Sequence, residues 1–235
     1  MNNDLYSPEI ESRFQATLKT PITLDRKWPR GCTGAGNAYL VLLGPSMGKE
    51  LPGEAREVGG PNRPYRDPIT IGQNVIEFGG LGRRSPRWKR LCVALLGEER
   101  YIPALTALLN LDWSHNTDEK HVCIPHLQSG FSEHIWPLLA QVKPRIICTL
   151  TRRVWDTVAP QMRQHDVTAF PRCPIAPTGP RLKLSVAPLF IRIPGCDFIT
   201  MVIKPHNHPS RPYLGARQIA VINEVANWFR NQPIP

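Results

Sequence analysis

The sequence lacks the features that mark membrane, secreted and metal-binding proteins. Its apolar runs are far shorter than the ~20 residues that a membrane-spanning helix needs, and residues 1–5 have neither a basic start nor an apolar core, so no signal peptide is indicated. Six cysteines are present, but none forms a Cys-x-x-Cys pair or a zinc or iron–sulfur spacing. We therefore expect a cytoplasmic protein with no membrane anchor, disulfide, metal site or cofactor.

Acidic residues are also scarce relative to basic ones. The 235 residues include 19 Asp and Glu against 29 Lys and Arg, a formal net charge of +10. A basic excess of this size favours a polyanionic partner, of which nucleic acid is the commonest, although it could serve solubility alone. If the partner is DNA, phosphate contacts should make binding sensitive to salt and mostly neutral to sequence.

Apolar segments with strand and helix patterns alternate from residue 38 to residue 229. The predicted strands span residues 38–43, 105–111, 145–150 and 198–203. The predicted helices span residues 8–18, 86–96, 131–142, 151–158 and 215–229. This alternation predicts an α/β fold, a three-layer sandwich around a central, mostly parallel sheet. We expect residues 31–235 to form a single domain and residues 1–30 to form an N-terminal arm packed on it.

The first and last predicted strands run into turns rich in small and polar residues. Gly44-Pro-Ser-Met-Gly48 follows the first strand, and Lys204-Pro-His-Asn-His-Pro-Ser-Arg211 follows the last. Strands of a parallel sheet deliver the turns that follow them to its carboxyl edge, where ligands bind. The sequence therefore predicts that the two turns lie side by side at one edge of the sheet.

Together the two turns resemble the motifs of the uracil-DNA glycosylase superfamily. Lys143-Pro144, followed by an apolar strand and a helix, is similar to a central segment of that family, as are the helix around Trp88 and the Arg63-Pro-Tyr65 loop. The resemblance covers roughly residues 38–230, and His208-Pro-Ser210 is its most specific motif. It implies a monomeric DNA glycosylase, a hydrolase that flips a damaged base, uracil or another modified pyrimidine, out of DNA and hydrolyses its N-glycosidic bond in base-excision repair.

The resemblance assigns catalytic roles to His208 and Ser46. His208 matches the motif histidine, which as a neutral donor would stabilise negative charge on the leaving base. His206 is its rival, because side chains two residues apart in an extended segment point to the same side. Ser46 stands where uracil-specific members often carry Asp or Asn to position water, and a serine cannot stabilise positive charge on the sugar.

The missing carboxylate leaves three alternatives open: a weaker activity, a nearby acid in that role, or a base other than uracil. The sequence does not rank the candidate acids, which are Asp67, Glu77 and Asp112.

Asn110 ends a predicted strand, as does the base-reading asparagine of the family. An amide both donates and accepts, so it can read the O4/N3 edge of a pyrimidine, but asparagine is equally common as a turn residue. Tyr65 would offer a ring face on which a base can stack, or else is a packed or solvated loop residue. The remaining DNA contacts implied by the resemblance are Gly44, Gly48, Ser210 and, in the position of the wedge that enters the duplex, Arg211.

Two other classes of function remain. One is a catalytically inactive nucleic-acid-binding module on the same fold, which the missing carboxylate favours. The other is a hydrolase of small nucleosides or nucleotides, against which the basic charge argues, because a nucleoside needs no wide positive surface.

Overall fold

The structure, a computed structural model, describes residues 7–19, 27–28, 33–45, 63–64, 86–112, 122–174, 187–205 and 215–232. The strands are β1 (Lys27–Trp28), β2 (Thr33–Gly34), β3 (Leu40–Gly44), β4 (Arg63–Pro64), β5 (Thr106–Asn110), β6 (Ile146–Thr149), β7 (Leu189–Ile191) and β8 (Thr200–Ile203). The α-helices are α1 (Pro8–Lys19), α2 (Pro86–Leu96), α3 (Ile102–Leu105), α4 (Ile124–Ser129), α5 (Trp136–Val142), α6 (Arg152–Met162) and α7 (Ala216–Arg230). A π-helical segment, Gly130–Ile135, joins α4 to α5.

Six strands form the central sheet in the order β2-β5-β3-β6-β8-β7, and β1 pairs with β4 in a separate ribbon. The four inner strands are mutually parallel, and the short outer strands β2 and β7 are antiparallel to their neighbours. The predicted class, α/β with a mostly parallel sheet, is therefore confirmed. None of the helices in the described part of the chain is long and apolar enough to cross a membrane.

Alternation along the strands divides the interior into two cores. Leu40 and Leu42 of β3 belong to the first core, which packs beneath α1, α2 and α7. Val41 and Leu43 belong to the second core, which packs beneath α4, α5, α6 and the π-helical segment. Because side chains alternate across a strand, the two cores lie on opposite faces of the sheet. The helices therefore cover both faces, as a three-layer sandwich requires.

The long elements agree with the sequence patterns. The helix predicted over residues 86–96 is α2, and its predicted apolar face is buried: Trp88, Leu91, Cys92, Leu95 and Leu96. The helix predicted from residue 151 is α6, where the Thr151 hydroxyl accepts a hydrogen bond from the Val154 amide (3.1 Å) and so caps the helix.

One predicted boundary was wrong, and two short strands were not predicted. The helical segment predicted from residue 131 begins at Ile124, because Pro125 lies in the first turn of α4, where a missing N–H costs no hydrogen bond. The unpredicted strands are β7, in a proline-rich segment, and β2, in the glycine-rich segment before β3. Strands of two or three residues at a sheet edge are too short to produce a readable alternation.

The amino edge of the sheet is closed by α1. Arg145, which precedes β6, forms an ion pair with Glu9 (3.1 Å) and donates a hydrogen bond to the Ile199 carbonyl (2.7 Å). Arg13 donates to the Lys143 carbonyl (3.0 Å). These contacts attach the N-terminal helix to the loops that enter the parallel strands.

Candidate functional site at the carboxyl edge

The four parallel strands end at one edge of the sheet. Gly44 is paired with Asn110, Leu43 is paired with Thr149, and Cys148 is paired with Ile203. Continuing this register by one or two residues places Asn110, Gly44, Leu150 and Pro205 in one row across the edge. Adjacent strands are about 4.8 Å apart, so the ends of β3 and β8, which are separated only by β6, lie about 10 Å from each other. One ligand can span that distance.

Asn110 lies directly over Gly44. A Cβ atom at position 44 would stand 2.3 Å from Asn110 Oδ1, which is far inside van der Waals contact. Asn110 is only 6% exposed, and Leu150, next in the row, approaches the same point (3.7 Å from Leu150 Cδ1 to that Cβ). Glycine is therefore required at the end of β3 by the position of the amide that ends β5.

The segment after β5 is held from both sides. The amides of Leu111 and Asp112 donate to the carbonyls of Gly44 (3.0 Å) and Pro45 (2.9 Å). On the other side, Gly130 approaches so closely that a Cβ there would stand 1.9 Å from the Leu111 carbonyl oxygen. π-helical turns such as the one that begins at Gly130 occur frequently at functional sites. Residues 110–112 therefore have little freedom to move.

Lys204, at the end of β8, is a site residue that sequence reasoning missed. It is 3% exposed, and its Nζ donates to the Pro205 carbonyl (3.3 Å), directly before His206 in the chain. Burial lowers the pKa of its ammonium group, and Asp156 of α6 partly offsets that effect. The sequence offered little signal for it, because a lysine directly after an apolar strand normally marks the point where the chain reaches solvent.

Three helices begin at this edge. α6 starts just after β6 ends, so its first turn lies beside Leu150. The C-terminal end of α7 lies at the amino edge, because Arg145 stacks on the Phe229 ring (5.3 Å to its centroid). The C-terminal end of α2 is there too, because Arg230 donates to the Leu95 carbonyl (2.6 Å). The first turns of α2 and α7 therefore lie toward the carboxyl edge.

The first turns of these helices lack the acidic residues that commonly begin a helix. None of α2, α6 and α7 has an acidic residue in its first turn, and basic residues lie at or near all three starts: Lys89, Arg90, Arg152, Arg153 and Arg217. The helix dipole favours anions at this end and disfavours cations. In contrast, α1 at the opposite edge carries Glu9 and Glu11 in its first turn. The helix starts at the carboxyl edge therefore carry basic residues without first-turn acids, although Lys89 is paired with Glu99 and Arg152 with Asp156.

The structure describes two of the predicted site residues, Gly44 and Asn110, and brings them into contact. The other predicted site residues lie outside the described residues: His208, Ser46, Tyr65, Gly48, Ser210 and Arg211. The same is true of His206, Asp67 and Glu77, whereas Asp112 is described. The strands that lead into the two predicted turns end at the same edge, and the arrangement of the turns themselves stays a prediction.

Two further observations limit the chemistry of the described residues. They contain no group of three or more His, Cys, Asp or Glu side chains that could hold a metal ion. Cys92 and Cys148 are buried, and burial raises the pKa of the Cys92 thiol to about 12. Neither thiol is a nucleophile in this state.

In comparisons with known proteins, no protein-family model and no curated protein matches the chain.

Proposed function

We propose that the protein is a DNA glycosylase that flips a damaged or modified pyrimidine out of DNA and hydrolyses its N-glycosidic bond at the carboxyl edge of the sheet. The observation that carries the proposal is the row formed by Asn110, Gly44 and the end of β8. An amide that can read a base edge lies on a glycine where the first motif begins, and the strand that leads to His208 ends about 10 Å away.

The topology supports a ligand site at this position. From β3 the chain moves to β5 on one side of the sheet, and it then crosses to β6 and β8 on the other side. In open α/β sheets, ligands bind in the crevice at such a reversal, outside the carboxyl ends of the strands. That crevice lies between β3 and β6, next to Gly44 and Leu150. A flipped base placed there would meet the Asn110 amide.

The charge at this edge supports DNA as the partner. A glycosylase must hold the phosphates that flank the flipped nucleotide, and a duplex presents them on both sides of the site. Basic residues lie at or near the starts of α2, α6 and α7, and these helices begin at this edge. A hydrolase of free nucleosides would not need them.

In this proposal His208 donates a hydrogen bond to the base as negative charge develops on it, Asn110 reads the pyrimidine edge, and Tyr65 stacks on the ring. Ser210 and the glycines of the first turn hold phosphates, and Arg211 enters the duplex. These roles follow from the resemblance of the two motifs together with the shared edge of their strands.

The test is base release from duplexes that each carry one altered pyrimidine, uracil included, scored as abasic sites under single-turnover conditions. We expect release from at least one of them. His208→Ala should lower the rate by about 10²–10⁴-fold with little loss of DNA binding, because the histidine acts only as charge develops. Arg211→Ala should weaken binding of the flipped state more than the chemical step.

His206→Ala is the matched control, since it removes the neighbouring histidine of the same turn. If His206→Ala is inactive and His208→Ala is normal, the two assignments are exchanged. If wild-type protein binds DNA with a steep salt dependence but releases no base, the protein is the inactive binding module. If binding is also insensitive to salt, both proposals are wrong.

A further inference from the structure

We infer that Asp112 is a catalytic residue that supplies the carboxylate absent from the first motif. The inference rests on the proposed glycosylase function and assigns the group that handles the attacking water. It follows from the contacts around the end of β5, where Asp112 lies two residues beyond Asn110.

Asp112 is attached directly to the turn that carries Ser46. Its amide donates to the Pro45 carbonyl (2.9 Å), and Pro45 is the residue before Ser46 in the chain. If the base occupies the crevice and contacts Asn110, its sugar lies outside the crevice toward the first turn, and the water-positioning acid is needed beside that turn. Asp67 and Glu77 lie outside the described residues, and the described Asp112 is hydrogen-bonded to the first motif through its backbone.

The position of Asp112 is also fixed. The neighbouring Leu111 is buried in the second core, its amide donates to the Gly44 carbonyl, and its own carbonyl is held against Gly130. Asn110, on the other side of Leu111, is packed on Gly44. The base-reading amide and the carboxylate therefore belong to one short, immobilised segment. Such rigid attachment keeps catalytic groups in a productive geometry.

A second described acid near this edge is less suitable. Asp156 lies one turn into α6, its side chain is 59% exposed, and it forms an ion pair with Arg152 (3.3 Å). An exposed carboxylate has little influence on charge that develops inside a crevice. Asp112 is half-buried, and its backbone is hydrogen-bonded to the first motif.

In the reaction, the bond between the sugar C1′ and the base nitrogen breaks and its electron pair leaves with the base. The water oxygen forms the new bond to C1′, and the Asp112 carboxylate accepts the proton that the water loses. The base takes up one proton from solvent, and Asp112 later returns its proton to solvent. Before the water adds, the negative charge of Asp112 stabilises the oxocarbenium-like sugar.

The experiment compares Asp112→Asn with Asp156→Asn, a matched removal of one carboxylate at the same edge. With the base that wild-type protein releases best, Asp112→Asn should lower the single-turnover rate by about 10²-fold or more, and DNA affinity should change little. Asp156→Asn should stay within about threefold of wild type, because it acts neither on the water nor on the sugar.

A second variant separates chemistry from structure. Asp112→Ala leaves space for a small carboxylate, so added formate should restore part of the rate, whereas chloride at the same ionic strength should not. A merely structural role would give no formate rescue, and that result would overturn the inference. A single-turnover rate of Asp112→Asn within threefold of wild type would also overturn it. If wild-type protein releases no base, it is the proposed glycosylase function that fails.

Discussion

At the amino edge of the sheet, Arg145 is 5% exposed, and its guanidinium meets the Glu9 carboxylate, the Ile199 carbonyl and the rings of Phe198 and Phe229. At the carboxyl edge, Lys204 is equally buried, but its amine donates to the Pro205 carbonyl over 3.3 Å and burial lowers its pKa. Both cations are inside the protein. Arg145 is paired with Glu9 of α1, whereas Lys204 lies at the end of β8, two residues before His206.

The acids follow the same division. Glu11 accepts a hydrogen bond from the Tyr101 hydroxyl (2.7 Å) and forms an ion pair with Arg100 (3.1 Å), both near the amino edge. The hydrogen bond from Tyr101 is the main cause that lowers the pKa of Glu11. At the carboxyl edge the helix starts carry basic residues without first-turn acids. Helix α1 at the amino edge therefore has acids in its first turn, whereas the helix starts at the carboxyl edge carry basic residues, to which the proposed function assigns contacts with DNA phosphates.

The largest effect should come from Arg145→Met at the amino edge. This variant loses the hydrogen bond to Ile199, the stacking on two rings and the ion pair with Glu9, for which Arg13 (3.4 Å) is the remaining partner. Removing one member of a largely buried ion pair typically costs several kcal/mol, and we expect the free energy of unfolding to fall by about 3 kcal/mol. Urea denaturation followed by circular dichroism measures it.

Arg152→Met at the carboxyl edge is the control, because the same change there removes an exposed side chain. We expect it to alter the free energy of unfolding by less than about 0.5 kcal/mol. Equal losses in the two variants would show that the two edges do not differ in the way proposed.

An intermediate effect is expected from Gly44→Ala. The new Cβ would stand 2.3 Å from Asn110 Oδ1, so the Asn110 amide must move, and base release should fall by about 10-fold or more. The contact itself is tested by stability. In an Asn110→Ala background the obstacle is gone, so adding Gly44→Ala should lower the free energy of unfolding little further. Such a coupling is typically 0.5–3 kcal/mol for residues in contact. Additive losses in the double-mutant cycle of unfolding free energies would contradict the contact.

The strands and the edge at which they end were predictable from the sequence, whereas the lateral contacts at that edge were not. Four apolar runs separated by amphipathic helices predict a parallel sheet, and its carboxyl edge follows from topology. The proximity of Asp112 to Pro45 depends on the strand order, which places β5 beside β3. A sequence pattern reports burial along a strand and not which strand lies next to it, so three acids remained unranked.

Lys204 was overlooked for a related reason. It follows an apolar run, and a charge after such a run is normally interpreted as the point where the chain reaches solvent. The structure instead buries it in the row that contains Leu43 and Thr149. Burial of a residue just past a strand is decided by the neighbouring helix, here α6, which local sequence does not reveal.

The smallest effect concerns the two ends of α6 and tests the anion-attracting edge directly. Arg152 begins the helix at the carboxyl edge and is 85% exposed, and Arg163, also exposed, follows its last residue at the amino edge. The 11 residues of α6 place the two positions about 16 Å apart, which exceeds the Debye length of about 10 Å at 0.1 M salt. Arg152→Gln and Arg163→Gln therefore remove the same charge from the two edges and leave the net charge of the variants equal.

If DNA lies across the carboxyl edge, Arg152→Gln should reduce the slope of log K against log salt by about 1, the value for one lost phosphate contact. Arg163→Gln should leave the slope unchanged, because its charge is screened from the duplex. Fluorescence anisotropy with one labelled duplex, titrated at several salt concentrations, measures both slopes. The reverse result, with the slope reduced by Arg163→Gln alone, would place the DNA on the amino edge and contradict the site. Equal reductions would mean that the protein responds only to its total charge, and the contrast between the two edges would then have no role in binding.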